Sequence, residues 1–137
     1  MEQRYVTAEL HTIPKGELSK GIAGLIAQTI MDYGKSIDPD MQKHIIKRVY
    51  GMLNSSKYKH WQWREVITAF ERGKIGQYGG ESRCSVAGIE RWLHGYGNER
   101  LRTIVDSNIK QQQEHRNNTI SFTDNARYAM AFHKSMT

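Results

Sequence analysis

Cys84, six histidines and a glycine-rich stretch at residues 72–80 are the places where this sequence could hold chemistry. A zinc centre built on Cys84 needs three more ligands, and no nearby spacing supplies them. His11, His44, His60, His94, His115 and His133 are scattered, with no i,i+4 pair beside a glutamate. Cys84 as a nucleophile with His94 as its base is conceivable, but a lone cysteine beside a helix start is more often a small packing residue. Glu65, Glu71, Glu81 and Glu90 are interleaved with basic residues, a pattern of surface ion pairs and not of an acid–base dyad. The expectation is no enzyme: no catalytic residue, no metal and no cofactor.

The stretch Arg72-Gly73-Lys74-Ile75-Gly76-Gln77-Tyr78-Gly79-Gly80 invites comparison with phosphate-cradling loops. Such loops end in Gly-Lys-Ser/Thr between a strand and a helix. Here Gly73-Lys74 opens the stretch and the flank reads as helical, so the glycines are expected to turn the chain between two packed helices. A helix-turn-helix is a further possibility, with Ser85 to Tyr96 as the reading helix. Gly88, Glu90, Arg91 and His94 would then face a groove while Val86, Ile89, Trp92 and Leu93 hold the core. The connecting loop of about twelve residues exceeds the three or four of the standard turn.

Charge supplies the positive argument. The chain of 137 residues carries a net +6, unevenly distributed. Residues 41–102 hold twelve Lys/Arg against five Asp/Glu, a local +7, while residues 1–40 stand at −2 and residues 103–137 at +1. A polyanion such as DNA is expected to meet that middle segment. The candidate nucleic-acid-binding residues are Lys57, Lys59, Arg72, Lys74, Arg83 and Arg91, of which Arg72, Lys74, Arg83 and Arg91 are expected near the mouth of the 73–84 loop, with Tyr78 placed to stack on an unpaired base. The alternative is a protein-interaction adaptor or inhibitor that touches DNA only through its partner, with Tyr50, Tyr58, Trp61 and Tyr78 as contacts.

The elements that must position these residues read as all-α. Leu18, Ile22, Leu25, Ile26 and Ile30 recur at three- and four-residue spacing after Lys15, and Gly34 is a stop. Asp38 caps a second helix, Pro39 suits its first position, and Ile45, Ile46, Val49, Met52 and Leu53 form its stripe, with Lys43, Lys47 and Arg48 mostly outside it. A third helix covers about Trp61 to Arg72. A fourth follows the Ser85 cap and closes at Gly95 and Gly97, and Leu101, Ile104, Val105 and Ile109 suggest a fifth. The expectation is one domain over 1–137, a small bundle of about five helices. Its ordered core spans about 15–110, with a Gly-rich loop at 73–84, a mobile lead before Pro14 and a loosely packed tail at 111–137.

The longest apolar-looking run, Ile22 to Met31, is too short and too interrupted to cross a bilayer. No secretion signal follows Met1, and the lone cysteine suits a reducing compartment, so a cytoplasmic protein without membrane contact is expected.

Residues 66–96 carry a resemblance. Phe70-Glu71-Arg72-Gly73-Lys74-Ile75-Gly76-Gln77-Tyr78, followed by Ile89-Glu90-Arg91-Trp92-Leu93-His94-Gly95-Tyr96, resembles a group of small helical phage and mobile-element proteins in which two glycines and an aromatic precede a helix bearing Trp-Leu-x-x-Tyr. The chain departs from that pattern at Gly79-Gly80-Glu81-Ser82-Arg83-Cys84. The resemblance implies a setting among DNA replication or recombination functions and no catalytic residues. In size and helical make-up the chain is also similar to phage helicase loaders. The expected partners are therefore DNA, and a replication protein or host factor.

Overall fold

A computed structural model describes residues 1, 3–80 and 83–136, with side chains described through residue 116. The chain is 73% helical, and no strand occurs among the described residues. Among the described residues there are four α-helices: α1 (Lys15–Tyr33), α2 (Pro39–Leu53), α3 (Trp63–Lys74) and α4 (Val86–Met136). Two units are distinguishable, Met1–Gly97 and Asn98–Thr137.

Local chemistry explains the helix limits in the first unit. Gly34 ends α1 at φ 67°, a left-handed geometry that costs a Cβ-bearing residue about 1–2 kcal/mol, and its N–H donates to the Met31 carbonyl. The Asp38 carboxylate accepts from the Asp40 N–H at 3.2 Å, with Pro39 inside the first turn of α2. The Glu65 carboxylate accepts the Gln62 N–H at 2.9 Å at the start of α3. At the start of α4 the Ser85 hydroxyl accepts the Gly88 N–H at 3.0 Å.

The core gathers one apolar face from each helix. α1 contributes Leu18, Ile22 and Ile26, and packs on α2 and α3. α2 contributes Ile45, Val49 and Leu53, α3 contributes Trp63, Val66, Ala69 and Phe70, and α4 contributes Ile89, Trp92 and Leu93. The Trp92 indole is fully buried, edge-on to Phe70 at 5.6 Å and stacked on Tyr33 at 6.4 Å. Each such burial stabilises the fold by roughly 1.5–3 kcal/mol. Thr29, also fully buried, returns its hydroxyl to the Leu25 carbonyl at 2.8 Å.

Three expectations are corrected. The helix expected to begin at Leu101 is continuous with the one before it, so four helices replace about five. Gly95 and Gly97 do not stop α4, because neither has positive φ. Both provide room: a Cβ on Gly95 would strike the Tyr78 ring, and one on Gly97 would lie 3.2 Å from Trp61. Gly73, expected in the loop, lies inside α3, where a Cβ would intrude on the Trp92 indole. The turn that follows has positive φ at Gly76 and Gly79, and residues 81 and 82 of the expected loop lie outside the described residues.

The lead before Pro14 is held, not loose. It forms short 3-10 turns at Gln3–Tyr5 and Leu10–Thr12, and buries Leu10 and Ile13. Backbone bonds run from Leu10 N to Trp61 O at 2.8 Å, His11 N to Lys59 O at 3.2 Å, and Arg64 N to Val6 O at 2.8 Å. This pairing joins positions some fifty residues apart, with an isolated antiparallel bridge between Glu9 and Gln62.

In the second unit, α4 backbone continues through Met136. Leu101, Ile104, Val105 and Ile109 are exposed there. Arg102, Asp106, Lys110 and Glu114 alternate in sign at four-residue spacing, which supports a helix by about 0.2–0.5 kcal/mol per pair. The packing expected for the tail beyond residue 116 concerns side chains outside the described residues. No helix among the described residues is long and apolar enough to cross a membrane.

Candidate functional site, a basic surface around α2

Burying Ile45, Val49 and Leu53 at four-residue spacing turns the opposite side of α2 to solvent, where Lys43, His44, Lys47, Arg48 and Gly51 are exposed. The first turns of α4 do the same: Ile89, Trp92 and Leu93 face inward, while Glu90, Arg91 and His94 are exposed. Gly88, expected on the outer face, is buried.

Between these two helices lies a groove of about 950 Å³, whose cations are Lys47, Arg48, Lys57 and Arg91, with His44 and His94 beside them. Glu90 is the acid on its lining. Lys47 also borders a second concavity of about 480 Å³ that adds Lys15 and Lys43, floored by Ile46 and Tyr50. His44 also borders a third, about 820 Å³, that adds Lys35 and Arg83 and contains Asp38. The first shares Lys47 with the second and His44 with the third. Together they present eight Lys/Arg against two carboxylates. Among the described residues Lys43, Lys47, Arg48 and Lys57 form no ion pair. Lys57 lies over the Tyr58 ring at 5.5 Å. Such a concave, predominantly cationic surface focuses potential toward anions.

The structure divides the residues expected from the sequence. Lys57 and Arg91 line the main groove, and Arg83 lines the adjoining concavity. Lys74 instead holds Asp32 at 2.6 Å and is 18% exposed, tying the end of α3 to the end of α1. Arg72 covers the Tyr96 ring at 5.5 Å. Tyr78 is half-buried against Gly95 and the core, so its face serves packing and not base stacking. Lys59 is exposed on the α2–α3 connection, apart from the groove linings. Tyr50 is half-buried in the floor of the second concavity. Tyr58 and Trp61 are buried against one another at 4.8 Å, with Trp61 edge-on to Tyr96 at 5.2 Å, so they belong to the core and not to a docking face, although Tyr58 also borders the groove.

Basic residues thus converge on α2 and not on the corner after α3. The sequence carried the signal: Lys43, Lys47 and Arg48 fall outside the α2 stripe. His44, Lys15 and Lys35 gave no comparable cue, since the surfaces they line arise from helix packing.

Cys84 is buried, and burial pushes its thiol up to about 11. It is therefore protonated near neutral pH and a poor nucleophile. It borders the third concavity, whereas His94 borders the first.

Elsewhere the structure brings together Glu9, His11 and His60, whose potential ligand atoms all lie within 4.8 Å of one another. Hydrogen bonds from His11 and then His60 hold the Glu9 carboxyl below its ordinary range. Sequence reading expected no metal ligands here. Glu9 and His11 are two residues apart, but only the backbone pairing of the lead with residues 59–64 delivers His60 to them.

No protein-family model, no curated protein and no solved structure matches the chain.

Proposed function

We propose that the protein binds nucleic acid along the basic surface formed by α2 and the first turns of α4, as an accessory factor in phage or mobile-element DNA replication or recombination. One observation supports the binding above the others: among the described residues, the three concavities that border α2 are lined by eight cations and two carboxylates. Phosphate neutralisation requires clustered charge, and clustering is what α2 provides. The replication or recombination setting is supported by the resemblance of residues 66–96. Arg48 and Arg91 can take a phosphate in bidentate fashion, and Lys47 and Lys57 add point charges. Gly51 is exposed with open space where a Cβ would be, so a strand can approach the α2 backbone closely there.

Fluorescence anisotropy with labelled duplex and single-stranded oligonucleotides over a salt series tests this reading. Four groove cations on a duplex give a log–log salt slope of about −3.6, or about a 150-fold loss of affinity between 50 and 200 mM salt. Undetectable binding of both oligonucleotides at low salt would end the proposal.

A protein-docking adaptor is the second reading, and one observation favours it. Leu101, Ile104, Val105 and Ile109 are 40–61% exposed at helical spacing on α4. A partner held there is lost when Ile104 and Val105 are changed to serine, while oligonucleotide binding is unaltered. A partner that persists in that variant rules out docking through this stripe.

A further inference from the structure

The geometry points to a divalent transition-metal site formed by Glu9, His11 and His60, which would clamp the amino-terminal segment to the connection between α2 and α3. Glu9 Oε2 lies 2.7 Å from His11 Nε2 and 3.3 Å from His60 Nδ1. The two imidazoles meet edge-on, with ring centres 5.3 Å apart. Tetrahedral zinc with N and O ligands at about 2.0–2.2 Å sets neighbouring ligand atoms roughly 3.3 Å apart. The Glu9–His60 edge already has that length. The Glu9–His11 edge needs to open by about half an ångström, and all three side chains are exposed enough to adjust.

The backbone beneath makes this more than a chance meeting of surface side chains. Leu10, between Glu9 and His11, is 3% exposed, and Trp61, next to His60, is 5% exposed. Both anchor in the core, and they join each other through the Leu10 N–H and the Trp61 carbonyl. The His11 N–H is fixed to the Lys59 carbonyl, so His60 sits between two carbonyls that are both bonded to the opposing segment. With Leu10 and Trp61 turned into the core, the three candidate ligands meet outside it, their ligand atoms within 4.8 Å of one another.

Two imidazoles and one carboxylate form a borderline donor set that suits zinc and its neighbours better than magnesium or calcium. Three protein ligands leave a further coordination position for water or another ligand. Because the ligands come from segments some fifty residues apart, the metal acts as a crosslink that the unfolded chain cannot reproduce.

The test is calorimetric titration of the untagged full-length chain with zinc chloride, paired with cobalt absorption and melting with and without metal. One equivalent of zinc is expected to bind and raise the melting midpoint. His11→Gln and His60→Gln each lose a ligand and should weaken binding by at least about 10- to 100-fold, since even outer-shell changes cost that much. His44→Gln and His115→Gln should bind as the parent does. Cobalt is expected to give visible bands of low-symmetry four-coordination without thiolate charge transfer. Absence of saturable binding to the parent chain would overturn the site. So would binding that survives His11→Gln with His60→Gln, or a thiolate band implicating Cys84.

Discussion

Replacing Gly73 with alanine isolates the contact that joins α3 to α4. A Cβ there would fall within the Trp92 indole, meeting three of its ring atoms. Trp92 cannot yield easily, because it is fully buried between Phe70 and Tyr33. A Cβ fixed to the backbone has no rotamer with which to escape. Overpacking of this kind costs about 1–3 kcal/mol, and the number of ring atoms involved argues for the upper end. Alanine in a helix interior returns about 1 kcal/mol relative to glycine. The expected net destabilisation is therefore about 2 kcal/mol. Gly24→Ala is the control, since Gly24 is exposed within α1 and has open space at its Cβ. There the propensity gain acts alone, stabilising by about 0.5–1 kcal/mol. Urea unfolding followed by circular dichroism and tryptophan fluorescence reads both variants. If Gly73→Ala proves as stable as the parent, or if the two substitutions shift stability alike, the α3–α4 packing described here is wrong.

Two further outcomes follow from titratable groups. Native Cys84 should react slowly with a thiol reagent at pH 8, since burial raises its thiol to about 11. Its rate should rise sharply in denaturant, and fast labelling of the folded chain would contradict the burial. Lys74 and then Gln28 hold Asp32 below its ordinary value of 3.8. The Asp32–Lys74 contribution to stability is thus fully present above pH 3.8 and is lost as pH falls through the depressed folded value. Carboxyl-carbon NMR of Asp32 should show that depression, and Lys74→Met should move the midpoint upward. A midpoint unaffected by Lys74→Met would remove the ion pair from the account.

Much of the first unit was legible from local signals. Gly34 as a stop, the Asp38-Pro39 start and the α2 stripe all depend on neighbours within one or two helical turns. Gly95 and Gly97 were misleading because glycine serves two physical needs. It relieves strain at positive φ, and it admits a ring against a helix. Only the packing of Tyr78 and Trp61 distinguishes these uses. The lead before Pro14 was similarly opaque, as its order depends on bonds to residues 59–64. Arg72 and Lys74 illustrate the same limit for charge. Their positions suggested a surface for phosphate, yet Tyr96 and Asp32, both distant in sequence, engage them.

The nucleic-acid-binding role proposed for α2 is probed by the salt dependence of a charge-reversed variant. Lys47→Glu combined with Arg48→Glu changes exposed side chains and spares the α2 stripe. Helicity should be retained, affinity for a duplex should fall at least about tenfold, and the salt slope should flatten by about 1.8, the share of two phosphate contacts. Lys20→Glu, exposed on α1 and apart from the groove linings, should leave both quantities unchanged. Equal affinity and slope in the parent and the double variant would refute binding along α2.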